Sequence, residues 1–425
     1  MSASFRSVSA TNRCFFLSPE LDRLRLGRHI GAEMYYLLGG SGVPNYGDEL
    51  IAKYWLTYLA EKNPTERIVL ECTDPSISAL RLHPYNWRAS HVTIVKSLTR
   101  SLPNDDFWGN LERGYKFFYR NTLAKHPRLT GVEKYFQDAH TFHMIGGGYI
   151  SEKWPRTSFL LGFAAALNKT FGTRIIATGV GLMPMSPPPT EHKRTFRKVI
   201  ESFDFIESRD GHGPQFIAEH SGIGKVAYHG LDDTFMRSEP TPSHGGRTLH
   251  ISTYLQNDRL AALVRRVKRH DSEIKRQFDR ILFWNCAPDR DQLAQEAFKE
   301  AFPNMEVADV WSLVDRLPVK AGDTIISSRF HPHLLAARAG ANGYYLEHGE
   351  YYQIKHGSVV ELGSPLRPIV ELEEVGFTPV DAPAPIVSQD AERVKKKLEV
   401  ARLIYEGRRP SRSMWRTRIA SLLSI

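Results

Sequence analysis

Short apolar runs alternate with longer stretches of helical period along most of the chain, the pattern of strands buried on both faces and joined by amphipathic helices. In the first half the runs predict strands at Met34–Leu38, Arg67–Glu71, Thr141–Ile145, Arg174–Ala177, Phe203–Glu207 and Val226–Tyr228. Helices are predicted between them at Asp48–Ala60, Thr157–Leu167, Glu191–Ser202 and Gly213–Ser221. A stretch rich in Pro, Gly and Ser, Arg237–Gly246, then reads as a linker. Beyond it the alternation resumes, with strands predicted at Thr248–Ser252, Arg280–Trp284, Met305–Val307, Thr324–Ser327 and Gly343–Leu346. The matching helices are Asp258–His270, Asp289–Lys299, Pro332–Arg338 and a long last helix, Asp390–Glu406, which has either half to pack on. The expected fold is α/β, with two doubly wound, Rossmann-like domains over residues 31–240 and 247–407. Such halves face each other across a cleft, and ligands bind beyond the carboxyl ends of the strands. Residues 1–30 form an N-terminal extension and residues 408–425 a tail.

Composition narrows the function classes. The 425 residues are ample for two cores, and 41% hydrophobic with 24% charged residues is ordinary for a soluble globular protein. No apolar run reaches the ~20 residues that span a bilayer, and the first 30 residues hold no signal-peptide apolar region. Cys14, Cys72 and Cys286 are odd in number and far apart, which gives neither a disulfide framework nor zinc spacing. A reducing, cytoplasmic setting without a metal is expected. The net charge of +9 suits nucleic acid, a membrane surface or anionic substrates. The basic residues are dispersed and no nucleic-acid module is present, so nucleic acid is not an expected partner. In the tail, Arg409, Arg412, Arg416 and Arg418 alternate with Met414, Trp415, Ile419, Leu422 and Leu423. A basic amphipathic helix of this kind lies on an anionic membrane, here the inner face, or docks on its own protein.

The candidate chemistry gathers where strands end. The run Thr324–Ser327 leads into Ser328, Arg329, Phe330, His331, Pro332 and His333. Pro332 suits the first position of a helix, and Gly340 suits the residue after its end. Arg329 and His331 are therefore expected at the cleft mouth, beside helix N–H groups that bind phosphate or carboxylate. The bland alternative is that Arg329 pairs with a local carboxylate and His331 caps the helix. Strand Met34–Leu38 runs into a glycine-rich turn, Gly39 to Glu49, with Asn45 and Asp48 at its rim. It is neither the dinucleotide fingerprint nor a P-loop, and Asp48 serves the chemistry or only the helix start. Thr141–Ile145 ends in Gly146, Gly147 and Gly148, which marks close backbone approach to a ligand or a tight turn. Phe203–Glu207 ends in Ser208, Arg209 and Asp210, where Arg209 is a second anion clamp or pairs with Asp210 or Glu207.

Taken in order, G-x-x-N-x-G-D-E from Gly42 to Glu49, the triple glycine, S-R-D, and S-x-R-x-H followed by Ala-x-x-Gly resemble the polysaccharide pyruvyl transferase family over roughly Met34 to Gly357. The resemblance implies a fold like that of two-domain GT-B glycosyltransferases. It implies transfer of the enolpyruvyl unit of phosphoenolpyruvate to glycan hydroxyls as a pyruvate ketal, with phosphate released. Phosphoenolpyruvate is then a co-substrate and no cofactor is required. Arg329 and His331 become core site residues and Arg209 a clamp from the other domain. The family often has a Pro-Asp pair after S-R-D, whereas this chain reads Gly230, Leu231, Asp232, Asp233.

The roles that follow place Arg329, His331 and Asp48 in catalysis. His331 is the expected proton carrier, because an imidazole titrates near pH ~6.5, and His333 is a competing candidate. Arg209, Asn45, Gly47, Gly147, Gly148, Ser328 and His333 are expected around the donor. Tyr149, Trp284 and Tyr352 are expected to stack on the acceptor, a glycan or lipid-linked oligosaccharide. Lys355 and His356 are weaker cleft candidates. Two other classes remain: a sialyltransferase-like GT-B enzyme using a nucleotide sugar, suggested by the pair His331–Pro332, and a non-catalytic glycan-binding protein.

Overall fold

The computed structural model describes residues 34–118, 131–223, 226–238, 245–369 and 384–406, together with Arg418, Ser421 and Leu422. The expectations for residues 1–30, for most of the linker and for the basic tail lie outside the described residues.

Among the described residues, thirteen strands form two sheets, each wholly parallel. The first sheet holds β1 (Met34–Leu38), β2 (Arg67–Glu71), β3 (Ala89–Val92), β4 (Ala139–Met144), β5 (Arg174–Val180), β6 (Phe205–Ser208) and β7 (Ala227–His229), in the order β3-β2-β1-β4-β5-β6-β7. The second holds β8 (Thr248–Ser252), β9 (Arg280–Trp284), β10 (Glu306–Ala308), β11 (Thr324–Ser327), β12 (Asn342–Leu346) and β13 (Arg367–Ile369), in the order β10-β9-β8-β11-β12-β13. In each sheet the winding direction reverses once, between β1 and β4 and between β8 and β11. Loops on either side of such a reversal splay apart and leave a crevice at the carboxyl ends of the strands.

Successive residues of the central strands feed opposite cores, as a two-faced parallel sheet requires. Met34, Tyr36 and Leu38 pack into one cluster and Tyr35 and Leu37 into another. In the second sheet Ile325 belongs to one cluster and Ile326 to the other. β1, β2, β8, β9 and β11 coincide with the sequence expectation, and the remaining expected strands are found within a few residues. The two strands not foreseen, β3 and β13, are sheet edges. β13 carries Pro368, a residue that edge strands tolerate because no ladder N–H is needed there.

The last helix, Asp390–Tyr405, spans both halves. Val394 packs with the second half's core, whereas Val400, Ala401, Ile404 and Tyr405 pack under the first sheet. Lys397 enters between them and pairs with Glu207 and Asp233, each at 2.6 Å, all three side chains fully buried. Burial works against the Lys397 ammonium, but Asp233 and Glu207 outweigh it and strengthen its hold on the proton. Asp233 in turn accepts from the Gly146 N–H at 2.8 Å and the Trp55 indole at 2.7 Å. The helix therefore anchors the start of the triple-glycine loop. All of these elements belong to one compact unit, Glu33–Ile425.

Candidate active site

The loops that leave β1, β4, β8 and β11 at the two reversals, with those after β6 and β9, enclose a cleft of about 400 Å³. Its two walls are tied directly. The Tyr46 N–H donates to the Cys286 carbonyl at 2.8 Å, and the Tyr351 hydroxyl donates to the Gly148 carbonyl at 2.8 Å.

The β1 turn is held from within. The buried Glu49 carboxylate accepts from the Gly42 N–H and the Ser41 hydroxyl, each at 2.8 Å. Burial pushes the Glu49 carboxyl up to about 7 despite these two bonds. Gly42 sits at φ +87° with its Cα against the backbone of Asp74, a conformation and a proximity that glycine alone tolerates. Asn45 occupies the cap position of the helix Tyr46–Lys62 without capping it. Instead its amide donates to Asp48 at 2.7 Å and holds that carboxylate at the cleft wall. Asp48 is thus a held wall residue rather than the cap.

Across the cleft, Arg329 stands at the cap position of the helix Phe330–Arg338, its N–H bonded to the Ser327 hydroxyl at 3.0 Å. Its guanidinium pairs with Asp291, from the helix Pro288–Ala301 after β9, and lies 4.7 Å from the Tyr254 ring. The Arg329 Nε has no hydrogen-bond partner among the described residues. A carboxylate partner was the bland alternative for this arginine, and Asp291 is such a partner. Even so, Arg329 lines the cleft. His331 lies in the first turn of the helix and does not cap it. Its ring rests on Gly47, where an added Cβ would fall 1.6 Å from Nδ1. Gly47 is therefore the gap that admits the imidazole.

Arg209, after β6, completes the contact between halves. It donates to Asp232 at 2.9 Å, not to Asp210 or Glu207, and its guanidinium lies 4.0 Å from the Phe330 ring. The same Asp232 carboxylate stands 3.6 Å from the His331 Nε2, a distance for attraction rather than a hydrogen bond, and that nitrogen has no hydrogen-bond partner among the described residues. Burial alone would raise the Asp232 carboxyl, but His331 and Arg209 overcome it and hold it well below the usual carboxylate range. Asp232 is the site residue that sequence reasoning missed. It belongs to the Leu231–Asp232–Asp233 stretch that reads as a departure from the family pattern, and only its proximity to Arg209 and His331 shows its part.

Lys355 also reaches the cleft, from the helix Glu350–Glu361, and its ammonium lies 3.9 Å from the Tyr351 ring. Among the described residues no carboxylate comes within ion-pair distance of it. Burial, then the nearby Arg209 charge, pushes its amine well below the ordinary lysine range.

Not every expected residue reaches this space. His333 is fully buried, bonded to His356 at 2.8 Å and to Ser364 at 2.9 Å, with its ring stacked on Tyr345. Two residues beyond His331 is about 200° around a helix, so the two histidines face opposite ways. Ser328 is buried between loops, accepting from the Tyr254 N–H at 3.3 Å and bonding Thr253 at 3.1 Å. Trp284, the last residue of β9, points into the core and donates to His250 at 3.0 Å. Gly147 makes its close approach to Tyr149 and Asp48 rather than to open space. Gly148, Tyr149 and Tyr352 do line the cleft, although the Tyr149 hydroxyl is turned to the Ile145 carbonyl at 2.8 Å. Among the described residues no group of three or more His, Cys, Asp or Glu side chains is arranged to hold a metal ion. No helix among them is long and apolar enough to cross a membrane.

The family model for polysaccharide pyruvyl transferases matches residues 45–350 of the chain. No curated protein matches it. Among solved structures, a protein from Listeria monocytogenes described as a UDP-N-acetylglucosamine 2-epimerase is 9% identical. It covers 88% of this chain and 97% of its own, with a TM-score of 0.52. The UDP-GlcNAc 2-epimerase of Neisseria meningitidis is also 9% identical, over 86% of this chain and 93% of its own, at a TM-score of 0.49. The Listeria likeness gives the GT-B-like fold and no more.

Proposed function

The chain belongs to the polysaccharide pyruvyl transferase family, and from that premise we propose that it transfers the enolpyruvyl unit of phosphoenolpyruvate to two hydroxyls of a glycan. The observation that carries this reading is the meeting of Arg209 from one half with His331, Arg329 and Lys355 from the other around one cleft, with the buried Asp232 between Arg209 and His331. A small ligand with a phosphate and a carboxylate needs several cations close together and fixed before it arrives. The two arginines supply planar forks whose orientation is set by Asp232 and Asp291. The first N–H groups of the helix Phe330–Arg338 add a third contact. Lys355, with no carboxylate partner, supplies a fourth, and a bound phosphate is the charge its ammonium lacks.

Transfer begins with a proton. His331 delivers one to the terminal methylene carbon of the donor, and the adjacent carbon becomes electrophilic. Asp232 complements the charged ring during this step without taking the proton itself. An acceptor hydroxyl then bonds to the electrophilic carbon and gives its proton to Asp48. A second hydroxyl closes the ketal as the carbon–oxygen bond to phosphate breaks, and its proton leaves with phosphate. Asp48 then returns the proton it received to His331 through solvent, so that one acceptor hydrogen replaces the one placed on the new methyl group, the other leaves on phosphate, and the protein is returned unchanged.

The test is phosphate release from phosphoenolpyruvate in the presence of galactosides, glucosides and mannosides. Release that depends on one acceptor class and is abolished by Arg329→Ala supports the reading. Transfer from a nucleotide sugar with no such release overturns it in favour of a glycosyltransferase.

A further inference from the structure

Beside the cleft stand two cations that the transfer chemistry does not use, Arg290 on its lining and Lys153 over two of its lining rings. Lys153, just before Trp154 on the first half, holds its ammonium 4.4 Å from the Tyr351 ring and 4.7 Å from the Tyr352 ring, both on the second half. Arg290, on the second half, lies 5.6 Å from the Trp154 ring on the first. Both are solvent-exposed, and among the described residues neither has a carboxylate within ion-pair distance. Beside them the rings form one continuous surface. His348 stacks on Tyr352 at 4.7 Å and bonds the Tyr254 hydroxyl at 2.6 Å, while Tyr254 and Tyr352 lie 5.6 Å apart. Burial holds the His348 ring down to about 4, with Arg259 and Lys153 adding to the effect, so a neutral imidazole covers one face of Tyr352. Asp289, next to Arg290 in the chain, also lines the cleft.

Aromatic rings hold a cation over their faces, and a cation held there without a carboxylate of its own is available to an anionic ligand. A lysine and an arginine held over such faces from opposite walls, without carboxylates of their own, leave uncompensated positive charge beside the cleft. We propose that this is the acceptor subsite and that the acceptor is an anionic sugar, whose phosphate or carboxylate group is bound by Lys153 and Arg290 while its ring sits in the cleft between the Trp154 and Tyr352 side chains. The inference rests on the transferase reading for the word acceptor, but the selectivity for a charged sugar stands on these residues alone. Because the two cations come from different halves, such a ligand also bridges the walls of the cleft.

The test is calorimetric titration of the full chain with matched probes. These are the methyl glycosides of galactose, glucose, N-acetylglucosamine and mannose, the 1-phosphates of the same sugars, and the methyl glycosides of galacturonate and glucuronate. At least one anionic sugar is expected to bind about tenfold or more tighter than its neutral counterpart. The double variant Lys153→Ala, Arg290→Ala is expected to reduce that preference to within about twofold while leaving the neutral sugar's affinity unchanged. A preference confined to the phosphates identifies a phosphorylated acceptor, and one confined to the uronates an acidic glycan. Equal binding of charged and neutral sugars, no sugar binding, or equal loss of both in the variant overturns the inference. Titration of both proteins with phosphoenolpyruvate separates the two ideas. Retained donor binding in the variant shows an intact cleft, whereas selective sugar binding without donor binding sinks the transferase reading and spares this one.

Discussion

His331 owes its position to its neighbours: a missing Cβ on one side and a carboxylate on the other. Gly47 admits its Nδ1 edge, and Asp232 faces its Nε2 at 3.6 Å. If this nitrogen carries the proton to the donor, His331→Ala lowers kcat by about 10²–10⁴-fold while phosphoenolpyruvate affinity, read by calorimetry, changes only a few-fold. Equal kcat in variant and parent removes His331 from the chemistry. A second prediction concerns pH and Glu49. Its carboxyl titrates at about 7 in the folded protein, so folded protein keeps a proton that the unfolded chain gives up near the ordinary glutamate value. The stability this contributes is full below that ordinary value and is lost as pH rises through about 7. Urea unfolding of the parent relative to Glu49→Gln, at about pH 5 and about pH 8, is expected to show the parent losing on the order of 2 kcal/mol more across that interval. An equal change in both proteins contradicts the assignment.

The elements that place these residues differ in how visible they are in the sequence. Glycine at position 47 matters through the helix it opens and the helix it meets. Gly47→Ala is expected to cost about 10²-fold in kcat, with little change in melting temperature, because the new Cβ displaces His331 rather than the core. Gly343→Ala is the contrast. Its Cβ would lie 2.0 Å from the Ile325 carbonyl inside the second sheet, so thermal unfolding rather than turnover registers the change. Central strands such as β1, β8, β9 and β11 are legible because unbroken apolar runs have no other stable fate than burial on both faces. The edge strands β3 and β13 are not, since one of their sides needs no burial and the pattern dissolves. The same distinction governs the site. Arg209, Arg329 and His331 follow strands directly, and the rule that ligands gather at carboxyl ends finds them. Asp232 follows the short strand β7 and shows its part only through the partners that folding brings to it. His333 and Trp284 look as promising on paper, but helical rotation and strand alternation turn them into the core.

At the scale of the whole molecule, the last helix joins the two halves and fixes the start of the triple-glycine loop. Lys397 is sealed between Glu207 and Asp233, and removing one member of a buried set leaves the others uncompensated. Lys397→Met is expected to destabilise the chain by about 3–5 kcal/mol in urea unfolding. It is also expected to weaken phosphoenolpyruvate binding, because Asp233 holds the Gly146 N–H. A variant as stable as the parent refutes the anchoring role. The central claim is the reaction itself. Mass spectrometry of acceptor glycans incubated with the protein and phosphoenolpyruvate tests it most directly. The account predicts a gain of about 70 Da on one acceptor class, pyruvate joined with loss of water, matched by released phosphate and absent with Arg329→Ala. Acceptors left unchanged in mass across the neutral and anionic panels, with the donor intact, would contradict it.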